Sequence, residues 1–500
     1  MKLLQAMVWN YDAGRTGGLV LFLAALFSLI GCAVGPKYKT PTTLTPPTYK
    51  ELGSWKTAEP SDQNLGGNWW EIFNDLQLNV LEQQINVSNQ NLKAAVAQYQ
   101  QARATLRYNR ADYYPTLTAD PTAIREKFSE NRPASSTAIR GVTFSEFTVP
   151  LNLSYQVNAW GRVSRNVEFY REQAQASAAD LAVVNLSMHA DLAVDYFAAR
   201  TLDAEEKLLQ NTVAQYEQAL QLNEERYRGG LASEVEVEQA RTILETTRAQ
   251  LIDVGVARAQ YEHAVAVLIG KPPADFSLPP LPITAPPPRI PVGVPSELLE
   301  RRPDIAAAER RVASANAQIG LAKLAYYPVI NLVASGGFDS AGLGTLFQGP
   351  SAIWAIGASA AQTIFDGGRR RAISDEAKAG YDYSVANYRE TTLAAFQQVE
   401  DNLASLRILE NEATVQATAV DAAKRSLALS ETRYEGGVTS YLEVITAQNA
   451  ALTNEVTAVN ILGRQMASAV LLIEALGGGW DRANIPQHPE CCRKQTSTSD

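Results

Sequence analysis

Proline is missing from two long blocks of the sequence, and this absence constrains the fold more than any other feature. Residues 151–271 and 351–485 contain none, whereas residues 271–303 contain eleven. Both blocks are rich in Ala, Gln, Glu, Leu and Arg, which favour α-helix. The sequence therefore predicts two long helical regions, joined by a stiff, extended Pro-rich linker at 271–296.

A similar Gly-Gly sequence occurs twice, once in each block, and we call each occurrence a corner. RYRGGLASEVEVEQA occupies 226–240, and RYEGGVTSYLEVITA occupies 433–447. The Gly pair permits the positive φ that ends a helix, and the Ser that follows is a favourable N-cap for the next helix. We predict that each corner is the tip of a long antiparallel helical hairpin, formed by Gly229, Gly230 and Ser233 in the first and by Gly436, Gly437 and Ser440 in the second.

Apolar residues recur at alternating spacings of three and four on both sides of each corner, as in coiled coils. Examples are Leu209, Val213, Tyr216, Val237, Ala240 and Leu244 in the first block, and Leu427, Tyr434, Val444, Ala447 and Ala451 in the second. Stretches without helix-breaking residues predict helices over 162–228, 234–269, 369–435 and 441–476. A helix of 67 residues would be about 100 Å long.

Each predicted hairpin is preceded by a helical segment and by strands. The segments 91–117 and 304–330 align with each other, and both contain Tyr-Tyr-Pro, which stops a helix. FTVPLNLSYQVN (147–158) alternates apolar and polar residues, the pattern of a strand with one apolar face. We predict four strands, at about 114–124, 144–158, 327–338 and 352–365.

The chain therefore consists of two repeats, each with a helix, a strand, a loop, a strand, a very long helix, a Gly-Gly corner and a returning helix. The first repeat covers 77–270 and the second covers 297–480. The polar tail, 481–500, is expected to be disordered.

The N-terminus has the composition of a secretory signal peptide. Basic residues precede a twelve-residue apolar run, 19–30, which is too short to span a bilayer. Leu-Ile-Gly-Cys then resembles a bacterial lipobox, so that residues 1–31 would be removed and Cys32 would carry lipid. Ala33 in place of Asp favours sorting to the outer membrane. The alternative is that Cys32 is an ordinary residue of the signal peptide; we favour lipidation, followed by an extended segment at 32–76.

Composition excludes several functional classes. A formal net charge of −9 argues against nucleic acid as a partner. The three His residues lie far apart, and Cys491 and Cys492 stand together in the polar tail, so neither a metal site nor a disulfide framework is predicted. No catalytic motif is found. The sequence predicts neither an enzyme nor a cofactor, apart from the covalent lipid on Cys32.

Four strands per chain cannot form a closed barrel, and an open sheet edge is not tolerated in lipid. The strands could instead edge a soluble sandwich, but they adjoin helices too long for a globular domain, and their length suits a tilted membrane strand. Two copies would give eight strands and three would give twelve, and only the wider barrel leaves a water-filled lumen for polar residues such as Asn152 and Gln156. The sequence thus favours an oligomeric pore.

Several motifs together resemble those of the outer-membrane efflux lipoproteins, the TolC-like channels of tripartite pumps. They are VGPKYKTP (34–41), NWWEIFND (68–75), QVNAWGRVSRNVE (156–168), ELLERRPDIAAAE (297–309), FDGGRRRA (365–372) and the two Arg-Tyr corners. The resemblance covers the whole mature chain. It implies a homotrimer with a 12-strand barrel in the outer membrane and a 12-helix periplasmic tunnel. It also implies that a periplasmic adaptor and an inner-membrane transporter are partners, and that drugs or other small toxic molecules pass outward without chemistry.

The resemblance also implies where the periplasmic aperture lies. By position, the aperture residues are Leu442, Thr446 and Asn449, with Glu443 as a ring acid. Close relatives often have Asp and Arg at the second and third of these positions, so an ionic latch would be lost here. The alternatives are that Leu442 belongs to the helix core and that Glu443 is a solvated surface charge. Adaptor docking at the Gly-Gly tips is a further expectation.

Two other functions remain open. One is a duct for type I protein secretion or for metal efflux, although the lipobox argues against the secretion type. The other is a lipid-anchored periplasmic coiled-coil scaffold, which explains the hairpins and Cys32 but not the repeated strands.

Overall fold

A computed structural model of the chain describes residues 34–52, 67–131, 141–290, 292 and 295–486. The predicted signal peptide, the lipidation site Cys32 and the tail cysteines Cys491 and Cys492 lie outside these residues.

Eight α-helices and five strands are formed by the described residues. The helices are α1 (Leu76–Ser88), α2 (Gln90–Arg110), α3 (Arg162–Arg228), α4 (Glu234–Leu268), α5 (Leu298–Arg301), α6 (Pro303–Leu324), α7 (Arg369–Glu435) and α8 (Tyr441–Ala475). The strands are β1 (Thr116–Ala119), β2 (Thr122–Lys127), β3 (Thr143–Gln156), β4 (Val329–Ser340) and β5 (Ala352–Ala361).

The four long helices follow the proline-free blocks. α3 and α7 have 67 residues each, and the returning helices α4 and α8 have 35 each. Both returning helices end one residue before the predicted position, just ahead of Gly270 and Gly477, which adopt positive φ of 71° and 94°. α8 is the one helix among the described residues that is long and apolar enough to cross a membrane. A buried core helix has the same composition, and α8 has a buried face.

The helices before the strands end just ahead of the predicted stop signals. α2 ends at Arg110 and α6 ends at Leu324. Each end precedes a Tyr-Tyr-Pro, which confirms that this motif stops the helix. The residue before proline is disfavoured in the α region, and Tyr114 is indeed extended.

The strands form one antiparallel sheet in the order β1-β3-β4-β5, and β2 also pairs with β3. The single strand predicted at about 114–124 is wrong, because it is divided into β1 and β2 at Asp120-Pro121. Proline has no N–H to donate to the ladder, so the pairing with β3 is interrupted there and resumes in the same register. The last strand ends at Ala361, four residues before the predicted end.

The sheet has one apolar face and one mostly polar face, as the alternation predicts. Residues paired across strands share a face. One row across β1, β3, β4 and β5 is entirely apolar and consists of Leu117, Leu153, Ala334 and Ile356. The neighbouring row, one residue along each strand, consists of Thr118, Asn152, Ser335 and Ala355. Every residue of β5 is exposed in the single chain.

The compact units of the structure do not follow the sequence repeats. One unit, here called the strand unit, comprises residues 34–41, 101–131, 141–174 and 309–386. The other, the hairpin unit, comprises the described residues within 42–100 and 175–308 and from 387 onward. Each unit takes segments from both repeats, because the first part of each long helix belongs to one unit and the rest to the other.

The Pro-rich linker is held against the first hairpin rather than being a free connector. Asp203 on α3 is fully buried between Arg200 and Arg258, at 2.8 and 3.0 Å. Its carboxylate also accepts a hydrogen bond from the backbone N–H of Leu281 in the linker, and Arg200 donates to the carbonyl of Pro279. These contacts fix the linker to α3 and α4.

The predicted disorder of the tail is wrong for its first residues, and the rest of the tail lies outside the described range. Residues Arg482–Asn484 form a 3-10 helix, which the Asp481 side chain caps by accepting a hydrogen bond from the N–H of Ala483. Ile485 then packs in a buried cluster with Ala179, Ala306 and Ala307. This apolar contact orders a segment whose composition is mostly polar.

A buried Glu–His pair joins α1 to α3 in the hairpin unit. Nδ1 of His189 lies 2.5 Å from Oε2 of Glu82, both side chains are almost fully buried, and the His189 ring stacks on Trp70. Burial raises the pKa of Glu82 and lowers the pKa of His189 to about 4. Both directions favour a neutral pair, with Glu82 donating its proton to Nδ1 and Nε2–H facing Oδ1 of Asn86 at 3.4 Å.

We expect the His189→Gln variant to lose less folding stability in mild acid than the unmodified protein. As pH falls from about 6.5 towards about 4, the unfolded chain protonates His189 while the folded chain keeps it neutral, so folding stability falls over this window. Glu82 has the opposite effect on the pH dependence of stability. Because burial raises its pKa, folding stability falls as pH rises above the usual pKa of a glutamate. Thermal unfolding at pH 7.0 and pH 4.5, followed by helical circular dichroism, measures the difference. The exposed His263→Gln is the matched control, and an unchanged acid shift in His189→Gln would contradict the assignment.

Candidate functional site at the hairpin tips

Both corners have the same backbone geometry, a Schellman motif at the end of a long helix. In the first corner, Gly230 has a φ of 71°, its N–H bonds the carbonyl of Tyr227, and the N–H of Leu231 bonds the carbonyl of Arg226. In the second corner, the same bonds run from Gly437 to Tyr434 and from Val438 to Arg433, with φ of 69° at Gly437. The second Gly of each pair supplies the left-handed residue, which satisfies the last carbonyls of the helix.

Ser233 and Ser440 occupy the N-cap positions of α4 and α8, with extended backbones. Neither side chain caps the helix by a hydrogen bond, contrary to the expectation from sequence. The backbone carbonyls of both serines accept from the N–H three residues later, at Glu236 and Glu443. The corner is therefore fixed by the glycine and the backbone, and the serines contribute a compatible conformation.

Behind the corners, the two hairpins share one apolar core. One cluster brings Ala240 of the first hairpin together with Tyr434, Tyr441 and Val444 of the second. An adjacent cluster contains Tyr216, Ile243 and Leu244, and Ile445 packs against both clusters. Tyr216, Ala240, Leu244, Tyr434 and Val444 are heptad positions that the sequence predicts as core, whereas Ile243, Tyr441 and Ile445 were not predicted. The tips of the two hairpins therefore pack as one body.

Tyr434, predicted as a core residue, also links three helices through its hydroxyl, which sequence reasoning missed. Its hydroxyl lies 2.5 Å from Oδ1 of Asn223 on α3 and 3.0 Å from Oε2 of Glu236 on α4, while Arg226 stacks over its ring at 4.5 Å. Burial and the hydrogen bond to Glu236 raise the pKa of Tyr434 to about 12, so the hydroxyl remains a donor. The available signal was Asn223, a polar residue in a heptad core position. The equivalent residue in the first corner, Tyr227, is 46 % exposed.

The predicted aperture residues form an exposed stripe on the first two turns of α8. Leu442, Glu443, Thr446 and Asn449 are all exposed, whereas Tyr441, Val444, Ala447 and Gln448 between them are buried. Leu442 is 57 % exposed. It therefore lies outside the core of this chain, in contrast to the alternative that heptad spacing leaves open.

The polar residues of this stripe have local partners. The Thr446 hydroxyl donates to the carbonyl of Leu442 at 2.8 Å, so its proton is used within the helix and its lone pairs face outward. Glu443 is 3.8 Å from the guanidinium of Arg433 on the preceding helix, and both side chains are more than half exposed. A pair of this kind is worth less than about 1 kcal/mol.

Two of the aperture residues also line a groove between the hairpins. Leu442 and Asn449 of α8, together with residues of α4, surround a groove of about 600 Å³. The groove begins at Glu234, the residue that follows the first corner's Ser233, and so lies next to the predicted tips.

Comparison with known proteins assigns the family. The family model described as outer membrane efflux protein matches residues 81–271 and 294–478. The chain belongs to the outer membrane efflux protein family. The two matched segments coincide with the two sequence repeats and are separated by the Pro-rich linker.

Similar proteins support the same assignment over nearly the whole chain. A toluene efflux pump outer membrane protein of Pseudomonas putida, TtgC, is 31 % identical over 469 residues, covering 93 % of this chain and 96 % of that protein. The cation efflux system protein CusC of Escherichia coli is 29 % identical over 472 residues, covering 93 % and 99 %. The crystal structure of the CmeC outer membrane channel of Campylobacter jejuni matches with a TM-score of 0.84 at 25 % identity, covering 90 % of this chain and 96 % of that one.

The protein is therefore an outer-membrane channel of an efflux pump, with the strand-plus-hairpin fold of this family. It works together with other components of such a pump. Members of the family are ducts. Within the residues that the structure describes, no group of three or more His, Cys, Asp or Glu residues could hold a metal ion.

We expect Tyr434→Phe to loosen the joined tips. Removing the hydroxyl takes the donor away from Asn223 and Glu236, at a cost of about 1 kcal/mol. Hydrogen exchange of the backbone amides around the second corner should become about fivefold faster, as that cost implies. Tyr227→Phe is the matched control at the equivalent position of the first corner. Equal rates in the two variants would show that the Tyr434 hydroxyl does not hold the tips.

Proposed function

We propose that the protein is a homotrimer in which three sheets close into one 12-strand outer-membrane barrel, and the long hairpins form a 12-helix periplasmic tunnel. The observation that carries this proposal is the sheet itself. It has four strand positions, two unpaired edges at β1–β2 and β5, one apolar face and one polar face. Unpaired edges are not tolerated in hydrocarbon, so β5 of one copy must pair with the first strand position of the next.

The lipid and the pump partners complete this proposal. Diacylation of Cys32 would anchor the chain in outer-membrane lipid without spanning it. The hairpin tips are the proposed docking point for a periplasmic adaptor, which connects to an inner-membrane transporter. Leu231 and Val438, the residues that follow the two left-handed glycines, support this role, because they are 76 % and 71 % exposed in equivalent positions. Exposed apolar residues at a repeated site favour a protein partner.

The proposed cargo is drugs or other small toxic molecules, carried outward by passive conduction. The row Thr118, Asn152, Ser335 and Ala355 on the polar face of the sheet carries no charge, and acids of that face, such as Glu146 and Asp339, lie further along the strands. Metal export is a weaker proposal, because soft ligands are scarce: the sequence has four Met, and Met466 is buried in the core. A coiled-coil scaffold gives no role to the two-faced sheet.

We propose that Leu442, Glu443, Thr446 and Asn449 line the periplasmic aperture of this trimer. Their shared exposure on one end of α8 supports this role, since residues facing a central axis would be exposed in the single chain. Three copies of Leu442 would narrow the mouth sterically, and three copies of Glu443 would make it negative.

The oligomeric state of the detergent-extracted mature protein tests the proposal directly. Native mass spectrometry should give a trimer that carries covalent lipid on Cys32. A monomer or dimer that persists across mild detergents would leave the strand edges unpaired and would overturn the barrel. A trimer of the mass expected without lipid would remove only the anchor.

An arginine on the apolar face of β5 should block assembly in the membrane far more than an arginine on the polar face. Ile356→Arg would place a charge against lipid, at a cost of about 2–4 kcal/mol near the bilayer centre. Ala355→Arg, one residue away, would place the same charge in the aqueous lumen and serves as the matched control. The amount of trimer in outer-membrane fractions measures the effect. Equal losses would show that the apolar face does not meet lipid.

Leu442→Ala combined with Thr446→Ala should raise the single-channel conductance of the trimer in planar bilayers. Both substitutions remove atoms from the narrowest part of the proposed aperture. Leu429→Ala, at another exposed leucine of the same hairpin, is the control and should leave the current unchanged. If the double variant conducts like the unmodified protein, the narrowest point lies elsewhere.

A further inference from the structure

The groove between α4 and α8 has the size and lining of a site for a small organic molecule. Its volume of about 600 Å³ lies within the usual range of small-molecule pockets. Its apolar lining comes from both hairpins, with Val235 and Ile243 on α4 and Leu442 and Ile445 on α8. Ile243 and Ile445 belong to the joined tip core, so this part of the lining is held rigid by packing.

Two carboxylates border this apolar surface. Glu234 and Glu238 lie one helical turn apart on α4, and both are exposed. The Glu234 side chain makes no hydrogen bond or ion pair with any residue that the structure describes. Glu238 is 3.1 Å from Arg241, but that guanidinium also contacts Glu224 at 3.3 Å, so one cation is shared by two acids. The border of the groove therefore carries excess negative charge.

We propose that this groove is a binding site for amphiphilic organic cations. An apolar body would cover Val235, Ile243 and Leu442, and a cationic group would lie against Glu234 and Glu238. Charge complementarity selects this class, since a cation would be attracted by the two carboxylates, a neutral molecule would gain no such attraction, and an anion would be repelled. The remaining lining, with the Gln239 and Asn449 amides, contains no basic residue.

The site lies at the mouth of the proposed tunnel. A bound cation would contact Leu442, so its consequence for conduction rests on the proposed function. Binding itself needs only the two hairpins of one chain, and the trimer and the conductance can therefore fail while binding is still observed. The negative charge comes from the first hairpin, whereas positions 446 and 449 on the second hairpin hold the uncharged Thr446 and Asn449.

Isothermal titration of the full detergent-solubilised protein tests the proposal with two probes of nearly equal shape and opposite charge. Tetraphenylphosphonium should bind, and tetraphenylborate should bind at least about tenfold more weakly. Glu234→Gln with Glu238→Gln should weaken phosphonium binding about fivefold at about 50 mM salt, since two partly exposed charge contacts are lost. Raising the salt to about 500 mM should reduce the difference between the variant and the unmodified protein.

Three comparisons separate the site from general adsorption to protein and detergent. Asp253→Asn with Asp382→Asn removes two exposed carboxylates elsewhere, one of them about 28 Å further along α4, and should leave binding unchanged. Val235→Ser should weaken binding by loss of apolar contact without changing the charge. The proposal is overturned if the two probes bind alike, if the two double variants behave alike, or if the unmodified protein binds neither probe because a neighbouring copy fills the groove.

Discussion

An unpaired backbone N–H or C=O group costs several kcal/mol in hydrocarbon, and this constraint shapes the strand unit. One chain supplies four strand positions and leaves an unpaired edge on each side. In water such edges could be solvated, but in the outer membrane they require another chain. The alternating side chains then divide the sheet into a lipid face and a water face, so the same strands that create the need for closure also define the lumen.

The long helices are subject to a different constraint, because they must stay in register over about 100 Å. Small heptad residues pack the helices closely, and two Schellman corners reverse the chain without exposing unsatisfied carbonyls. At the corners, Tyr434 joins three helices through one hydroxyl. This hydrogen bond contributes only about 1 kcal/mol, and most of the contact between the tips is the apolar core around it.

Sequence reasoning succeeded where the determinants are local. Absence of proline, heptad spacing and the Gly-Gly pairs predicted the long helices almost to the residue, and strict alternation predicted the two faces of β3. It failed where long-range contacts decide. The break at Pro121 depends on pairing with β3, and the order of Ile485 depends on alanines that are distant in the chain. At the candidate site, position on α8 could be predicted, but the groove that Leu442 shares with α4 could not, because no local pattern records which helices become neighbours.

The compact units have a consequence for how the chain matures. The strand unit needs residues from 34 to 386, and the hairpin unit needs residues up to the last described turn. Although the sequence is a duplication, neither repeat contains a complete unit. One repeat alone therefore cannot form either unit. During export the first strands and the first hairpin emerge long before their partners, with apolar faces uncovered. Neither unit can therefore be completed until nearly all of the chain has crossed, which places folding after export rather than during it.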